Sequence, residues 1–388
     1  MPWKDVKPME EKLLFIADYL RQSNHFSQLC LQYGISRKTG YKWVERYDAG
    51  GLDALAEQSR RRHTQYERTP YAVEQMVLQL RQTRDVPGPK KIRAQLEGRL
   101  RSDEIPSCTT IYSILKRAGL IEVRRRRRRV QAQTGALGPA TDPNELWSAD
   151  YKGQFKLRNG QWCYPLTVMD HASRFLLGCE GLNGTCLEPT KKVFERLFGE
   201  YGLPQRIRTD NGVPFASVGV GSLSRLSIWW IRLGIIPERI EPGQPQQNGR
   251  HERMHRTLKR SLGQPPAANL QQQQRQLDTF RQHYNEQRPH ESLAQRCPDS
   301  CYQPSGRPYP KRLPELEYPS WFEQVKVHRS GVAYWHNLMI YIGHLLEGQS
   351  VGMEASGDGL WDVYFGPVKL GRFDERKAGK NNYLSLKV

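Results

Sequence analysis

The sequence predicts a multidomain protein in which all-α amino-terminal units precede a layered α/β domain and a small β-barrel. Three observations predict this order. Residues 10–47 and 71–119 contain short stretches of helical period broken by turn residues. From Leu146 strand-sized apolar runs alternate with amphipathic ones, and from residue 321 short alternating segments are separated by glycine. With 388 residues, each domain can bury its own core.

The chain is strongly basic, with 59 Lys and Arg against 40 Asp and Glu and a formal net charge of +19. This excess predicts an anionic partner, with nucleic acid as the first candidate; a basic protein without such a partner is the alternative. No apolar run approaches the roughly 18 residues of a membrane span. The start, MPWKDVKPMEEK, lacks a signal-peptide core. We therefore expect a cytoplasmic protein without membrane contact, associated with the nucleoid when it binds DNA.

Seven cysteines are present, an odd number whose spacing indicates no disulfide framework. Cys297 and Cys301 come nearest to a metal pair, as C-x3-C. Because no matching His or Cys pair lies nearby, the sequence predicts no zinc site there.

Residues 1–63 are predicted to form a helix-turn-helix DNA-binding domain with a linker. FSQLCLQYG ends at Gly34, and RKTGYKWVERY follows Ser36, a plausible N-cap. In a helix-turn-helix the second helix enters the DNA major groove. An ordinary helical hairpin with a charged face is the alternative. The residues predicted to contact bases and phosphates are Arg37, Lys38, Thr39, Tyr41 and Lys42.

Residues 64–130 are predicted to form a second helix-turn-helix-like DNA-binding domain from three short helices: YAVEQMVLQLRQTR, PGPKKIRAQLEGRL and PSCTTIYSILKRAGL. It ends in a run of arginines that repel one another when free and gain through counterion release on a phosphate backbone. A targeting signal or a solubility segment is the alternative reading of that run. Its members, also predicted to bind DNA, are Arg124, Arg125, Arg126, Arg127, Arg128 and Arg129.

Residues 131–145, with Gly, Pro and Asp-Pro, are predicted to be a linker. Residues 146–262 contain three strands, a helix, a fourth strand (QRIRTD), a helix, a short strand (IIPERI) and a long helix, which is the order of an α/β layered domain. Residues 263–320 are predicted to be a helix, from about 270 to 284, and a linker. Residues 321–388 are predicted to form a small β-barrel that binds DNA.

Three acidic residues stand out by position: Asp150 in the first strand, Asp210 at the end of the fourth, and Glu252 on the long helix. Clustered carboxylates raise one another's pKa values, and divalent cations reverse that penalty. Mg²⁺ prefers oxygen ligands, and two such ions about 4 Å apart promote phosphoryl transfer. Gly212 is expected to allow a tight turn that exposes the strand end. Among 40 acidic residues, however, spacing alone is weak, and solvated charges are the alternative.

Longer strings give a more specific indication. WSADYKGQF, RTDNGVPF, EPGQPQQNGRHERMHRTLK and YNEQRPHESL resemble, in order, bacterial insertion-sequence transposases of the integrase-like DDE group, relatives of retroviral integrases. The resemblance spans about residues 10–295, and the tail is similar in type to the barrels that end such proteins. It implies a ribonuclease H-like integrase core, Mg²⁺ or Mn²⁺ with two ions per active site, and 3′-end cleavage and strand transfer. It also implies transposon-end DNA and target DNA as partners, and a homodimer or higher homo-oligomer on DNA.

The same resemblance implies that Asp150, Asp210 and Glu252 are the catalytic carboxylates and metal ligands, and that Lys259 is the basic residue following on the last core helix. Seven residues are nearly two helical turns, so Glu252 and Lys259 share a face, and Lys259 could hold DNA phosphate. For His255, on the border of that face, contact with the substrate backbone and a structural role are both open.

One departure concerns the third carboxylate. Forty-one residues, 211–251, separate Asp210 from Glu252, which is more than is common in relatives, and we place the extra length in SVGVGSLSRLS. If that loop changes the register, Glu241 becomes the rival ligand. Glu252 is favoured because Glu241 precedes Pro-Gly, outside the helix. The His/Cys zinc unit of retroviral integrases is missing, so no zinc is predicted.

The alternative function is a non-catalytic DNA-binding regulator derived from a transposase, and a third is a nuclease that only hydrolyses. The three carboxylates stand in intact motifs, which argues against the regulator. Two amino-terminal DNA-binding units and a barrel exceed what the nuclease needs.

Overall fold

The computed structural model describes residues 8–57, 69–83, 87–121, 140–217, 219–241, 243–262, 265–378 and 382–387. The chain separates into two compact units, Met1–Arg68 and Thr69–Val388, which are treated in turn. The predicted DNA-binding arginines at 124–129 lie outside the described residues. The predicted domain boundaries remain predictions.

The first unit consists of α1 (Pro8–Leu20), α2 (Phe26–Gln32), α3 (Arg37–Gly50) and a short 3-10 turn (Leu52–Leu55). Helix α3 begins where the sequence predicts, since the Ser36 side chain accepts the Thr39 backbone N–H at 3.2 Å. The three helices bury a common apolar core that includes Phe15, Leu29 and Trp43. The predicted helix-turn-helix order is confirmed.

The second unit begins with α4 (Tyr71–Gln82), α5 (Pro89–Glu97) and α6 (Cys108–Arg117). Ser107 caps α6 by accepting the Thr110 backbone N–H at 3.2 Å. Ile92, Leu96 and Ile111 are fully buried among the three helices. The prediction of three short helices here is correct.

Next comes the α/β domain, a six-stranded sheet in the order β2-β3-β1-β5-β6 with β4 paired to β3, where the strands are β1 (Leu146–Tyr151), β2 (Phe155–Lys156), β3 (Trp162–Asp170), β4 (Leu176–Leu182), β5 (Arg206–Thr209) and β6 (Ile236–Arg239). Strands β1, β3 and β4 are antiparallel to their neighbours in this group, whereas β5 and β6 continue from β1 in parallel. The α/β layered prediction is therefore confirmed. The helices of this domain are α7 (Leu187–Tyr201), α8 (Arg225–Arg232), α9 (Gly249–Ser261) and α10 (Leu270–Glu286).

Helices cover the sheet with two separate apolar clusters. One cluster joins Trp147 of β1 to Phe194 and Phe198 of α7 and to Trp230 of α8. The other joins Met169 and Leu176 to residues of α9 and α10: Met254, Leu258, Leu277, Phe280 and Tyr284. Because Met254 and Leu258 are buried, helix α9 is held against the sheet, and this fixes where its other residues lie.

Asp170, at the end of β3, is a fully buried carboxylate that organises neighbouring backbone. It accepts hydrogen bonds from the backbone N–H groups of Asn144 (2.8 Å) and Ser173 (2.7 Å) and from the Ser173 hydroxyl (2.6 Å).

Asp170→Ala is expected to lower the free energy of unfolding by about 3 kcal/mol, because buried donors lose their acceptor. Denaturant unfolding measures this. Asp103→Ala, at an exposed ion pair, is the control and should change it by less than about 0.5 kcal/mol; equal effects would contradict the prediction.

The tail folds into two open sheets with one shared core, which includes Trp335, Ile340, Val351 and Phe365. The predicted short strands are present, but a closed barrel is not confirmed. In the described tail, two isolated bridges lie outside the ladders, Val327 with Ala333 and Arg372 with Lys387, whereas a barrel needs continuous ladders. The strands are β7 (Glu323–Lys326), β8 (Val332–Trp335), β9 (Leu338–Tyr341), β10 (Ser350–Gly357), β11 (Leu360–Phe365), β12 (Val368–Asp374) and β13 (Tyr383–Ser385).

Among the helices that the structure describes, none has the length and apolar character needed to cross a membrane.

Candidate active site

Asp150 lies near the end of β1, in the middle of the six-stranded sheet, with its side chain 20% exposed. Side chains alternate along a strand. Trp147 and Ala149 therefore face the core under α7 and α8, whereas Ser148 and Asp150 face the side covered by α9. The β1–β3 register places Thr167 directly opposite Asp150.

Asp210 follows β5, the parallel neighbour of β1. Ser148 pairs with Arg208 across these strands, so two residues further along each strand the chain reaches Asp150 and Asp210. One Asp210 carboxylate oxygen accepts the Gly212 backbone N–H at 3.1 Å. A Cβ on Gly212 would lie 3.1 Å from the other oxygen. Glycine at position 212 therefore allows the backbone to approach the Asp210 carboxylate closely. A left-handed conformation is not the reason for glycine here, because the φ of Gly212 lies outside that region.

Glu252 is exposed in the first turn of α9. Burial, then the charge of Asp210, then that of Glu252 raise the pKa of Asp150 to about 7. Glu241, the rival third carboxylate, lies on an exposed loop and accepts a hydrogen bond from the Gln244 side chain. The electrostatics therefore favour Glu252 over Glu241 as the partner of Asp150.

The structure does not bring the three predicted carboxylates to ligand distance of one another. In the described ranges, the one set of three or more potential metal ligands with ligand atoms within 4.8 Å of each other is Asp150, His251 and His255. The three predicted carboxylates nevertheless suit a divalent cation, because carboxylate oxygens are hard ligands. After burial, the charges of Asp210 and Glu252 also raise the pKa of Asp150, and a divalent cation would offset that repulsion.

Two histidines of α9 contact the Thr167 hydroxyl, which in turn donates a hydrogen bond to the backbone oxygen of Asp150. His251 is fully buried, with Nδ1 2.8 Å from Ser148 Oγ and Nε2 2.7 Å from Thr167 Oγ1. His255 Nε2 lies 2.7 Å from the same Thr167 oxygen, and its Nδ1 lies 3.7 Å from Asp150 Oδ2. Burial lowers the pKa of His255 to about 3 and that of His251 well below its usual range, which favours the neutral form of both rings.

Sequence reasoning missed Ser148, Thr167 and His251 and left His255 open. Two signals could have indicated them. Ser148 and Asp150 interrupt an otherwise apolar strand on one face, and His251 and His255 have helical i, i+4 spacing.

Lys259 is exposed on α9 and lines a cleft of about 480 Å³ together with Lys152, which sequence reasoning also missed. Burial and the charge of Lys259 lower the pKa of Lys152, while the charge of Asp150 acts in the opposite direction. Lys152 is therefore within reach of the charges of both Asp150 and Lys259. The sequence signal was its position two residues after Asp150.

The predicted DNA-contacting residues of α3 come together on one surface. Arg37, Lys38, Thr39, Tyr41 and Lys42 all line an open groove of about 860 Å³. Tyr41 is largely exposed and stacks on Phe26 with ring centroids 4.2 Å apart. This is a basic surface with an aromatic platform, and its contact with DNA remains a prediction.

Models of four domain families match the chain. Two described as "Integrase core domain" match residues 140–245 and 233–298. A "Helix-turn-helix domain" model matches 11–63, and a "Homeodomain-like domain" model matches 39–115.

The chain is similar to insertion-element proteins. It is 30% identical over 185 residues to the uncharacterized 31.7 kDa protein of insertion element IS407 from Burkholderia multivorans, covering 47% of this chain and 64% of that protein. It is 29% identical over 194 residues to the uncharacterized 39.2 kDa protein of IS476 from Xanthomonas euvesicatoria, covering 49% and 54%. The chain thus spans less than two thirds of either relative.

A solved structure of the simian T-cell lymphotropic virus intasome in complex with PP2A regulatory subunit B56 gamma also matches. The identity is 16% and the TM-score 0.38, over 73% of this chain and 94% of that chain. A TM-score of 0.38 is too low to support a fold assignment, which rests instead on the matching domain families and on the order of strands in the sheet.

Proposed function

We propose that this chain is a DNA transposase, because its integrase core domain follows helix-turn-helix domains in the sequence and because it is a homologue of insertion-element proteins. It would bind the terminal inverted repeats of an insertion sequence and join them to target DNA. One observation supports this most strongly. Asp150 and Asp210 follow the register of adjacent parallel strands, beside the charge of Glu252 and a lysine-lined cleft.

Asp150, Asp210 and Glu252 are the residues that would hold Mg²⁺ or Mn²⁺, two ions per site. When bound, divalent cations activate the attacking oxygen and stabilise the leaving oxygen of a phosphoryl transfer. Lys152 and Lys259 line the neighbouring cleft, and their charge suits the DNA phosphates on either side of the reacting one. Thr167 and the two histidines fix α9, and with it Glu252, against the strand of Asp150.

The proposed reaction has two displacements at phosphorus. Water first attacks the phosphorus at the transposon end, where a P–O bond to the water oxygen forms and the P–O3′ bond breaks. This leaves a 3′-hydroxyl on the transposon end and a 5′-phosphate on the flanking DNA, and the water proton passes to solvent. This hydroxyl then attacks a target phosphodiester, so that a new P–O bond forms while the target P–O3′ bond breaks and leaves a target 3′-hydroxyl. Neither displacement forms a covalent bond to the protein. Because two ends join one target, the proposal includes at least a homodimer on DNA, in the cytoplasm at the nucleoid.

An end-joining assay tests the proposal. A labelled oligonucleotide of the element's end is incubated with the protein, Mg²⁺ and a target plasmid. Joined product is expected, and EDTA should remove it. Cut ends without joining would indicate a nuclease that only hydrolyses. Binding without any product would indicate the non-catalytic regulator, and either outcome would overturn the transposase proposal.

Lys38→Ala is expected to weaken end binding and to reduce the slope of log K against log salt by about 1, because one phosphate contact and its counterion release are lost. Lys38 is exposed on α3. Fluorescence anisotropy over a salt series measures the slope. Lys311→Ala, at an exposed position outside the predicted DNA-binding units, is the matched control. Equal slopes for wild type and Lys38→Ala would exclude a phosphate contact by Lys38.

A further inference from the structure

The hydrogens around Thr167 can be assigned from its contacts. Its hydroxyl oxygen lies 3.0 Å from the backbone O of Asp150 and 2.7 Å from Nε2 of both His251 and His255. A hydroxyl has one proton and two lone pairs. The carbonyl oxygen can only accept, and two acceptor oxygens at 3.0 Å would repel each other, so the hydroxyl proton points at Asp150 O. Both imidazoles must then donate their Nε2–H to Thr167.

A neutral imidazole has one N–H, so this assignment leaves Nδ1 of each ring as an acceptor. His251 Nδ1 then accepts a hydrogen bond from the Ser148 hydroxyl at 2.8 Å. Among the residues that the structure describes, His255 Nδ1 has no such donor. It lies 3.7 Å from Asp150 Oδ2, a distance too long for a hydrogen bond. Two atoms with lone pairs thus lie close together without a hydrogen bond between them.

We propose that His255 Nδ1 and Asp150 Oδ2 together ligate a divalent cation, so that this site has a nitrogen ligand in addition to its carboxylates. A cation removes the repulsion between the two atoms, and their separation leaves room for an ion bonded to both at roughly 2.0–2.2 Å. The set of Asp150, His251 and His255 within 4.8 Å is consistent with this. His251 contributes by orientation only, since both its nitrogens are bonded.

A nitrogen ligand changes which ion the site prefers. Mg²⁺ strongly favours oxygen ligands, whereas imidazole suits first-row transition metals. The site is therefore expected to bind Mn²⁺ more tightly than Mg²⁺, and His255 is the residue that sets this difference. The inference rests on the proposed function in one respect, which is that Asp150 belongs to the carboxylate site proposed above.

The test uses the full chain with Mn²⁺ alone as the probe, without DNA. Pulsed EPR of the Mn²⁺-loaded protein should show the ¹⁴N modulation of a directly bound imidazole. In His255→Gln, whose amide lies near the Nε2 position and can still donate to Thr167, the modulation should disappear and the Kd for Mn²⁺ should rise about tenfold or more. The Kd for Mg²⁺ should rise less. In the metal-free protein, ¹⁵N NMR should show His255 as the Nε2–H tautomer.

A matched control comes from the tail, where His336 Nε2 lies 3.7 Å from Glu323 Oε2, but on a ring that is 66% exposed. His336→Gln should leave the nitrogen modulation and Mn²⁺ affinity unchanged. Asp150→Asn should abolish both. If His255→Gln unfolds, His255→Asn, with an amide near the Nδ1 position, provides the second variant and should likewise lack the imidazole signal.

Three results would overturn the inference. The first is a wild-type protein that shows no nitrogen coupling although its Mn²⁺ binding is lost in Asp150→Asn. The second is a nitrogen coupling that persists in His255→Gln, and the third is an NMR spectrum of the metal-free protein that shows His255 protonated at Nδ1 or at both nitrogens. None of these bears on end joining with Mg²⁺, so the transposase proposal would stand. Conversely, a protein with the nitrogen signal and no joined product would retain the metal site and lose the proposed function.

Discussion

Asp210→Asn is expected to reduce strand transfer by at least about a thousandfold while end binding remains nearly intact. The carboxylate supplies negative charge for cations whose effect on the reacting oxygens is worth several kcal/mol, and about 4 kcal/mol corresponds to a thousandfold in rate. Asparagine keeps an oxygen that can accept the Gly212 N–H, now at 3.1 Å from Asp210, so the loop after β5 should keep its shape. Gel-based joining of labelled ends and anisotropy of end binding measure the two properties.

Asp299→Asn, in the short 3-10 turn Asp299–Cys301, is the matched control and should join ends normally. Normal joining by Asp210→Asn would remove this residue from the candidate site. Loss of both joining and end binding would instead point to a folding defect, which circular dichroism would detect.

The second large effect separates the two rival third carboxylates. Glu252→Gln is expected to lower strand transfer by a similar factor, whereas Glu241→Gln should leave it within about threefold. The reason is positional. The charge of Glu252 raises the pKa of Asp150, while Glu241 bonds the Gln244 side chain on an exposed loop.

The same joining assay compares the two variants, with melting temperatures to confirm that both fold. Glu252 is exposed and its substitution by glutamine preserves volume, so little loss of stability is expected. The reverse pattern, with Glu241→Gln inactive and Glu252→Gln active, would mean that the extra length at 217–227 changes the register of the third ligand.

Much of the fold follows from local signals. Ser36 and Ser107 mark the starts of α3 and α6 because a serine hydroxyl can accept a nearby N–H of the first turn, a contact made within three residues. Likewise, α7 follows from its amphipathic period and the glycine at 202 that ends it. The tail was harder. Glycine-separated strands predict sheets, but closure depends on pairing between distant strands, and the described residues show two open sheets.

The candidate site divides in the same way. The sequence by itself determined the types of residue in it: strand-end and helical carboxylates within recognisable strings, on a chain of net charge +19. Only the tertiary structure decided their partners. It set Thr167 opposite Asp150, buried His251 and placed His255 Nδ1 3.7 Å from the carboxylate. The contacts of His251 with Thr167 and Ser148 span 84 and 103 residues of chain. They exist because burial of Met254 and Leu258 fixes α9 on the sheet, which no local pattern can encode.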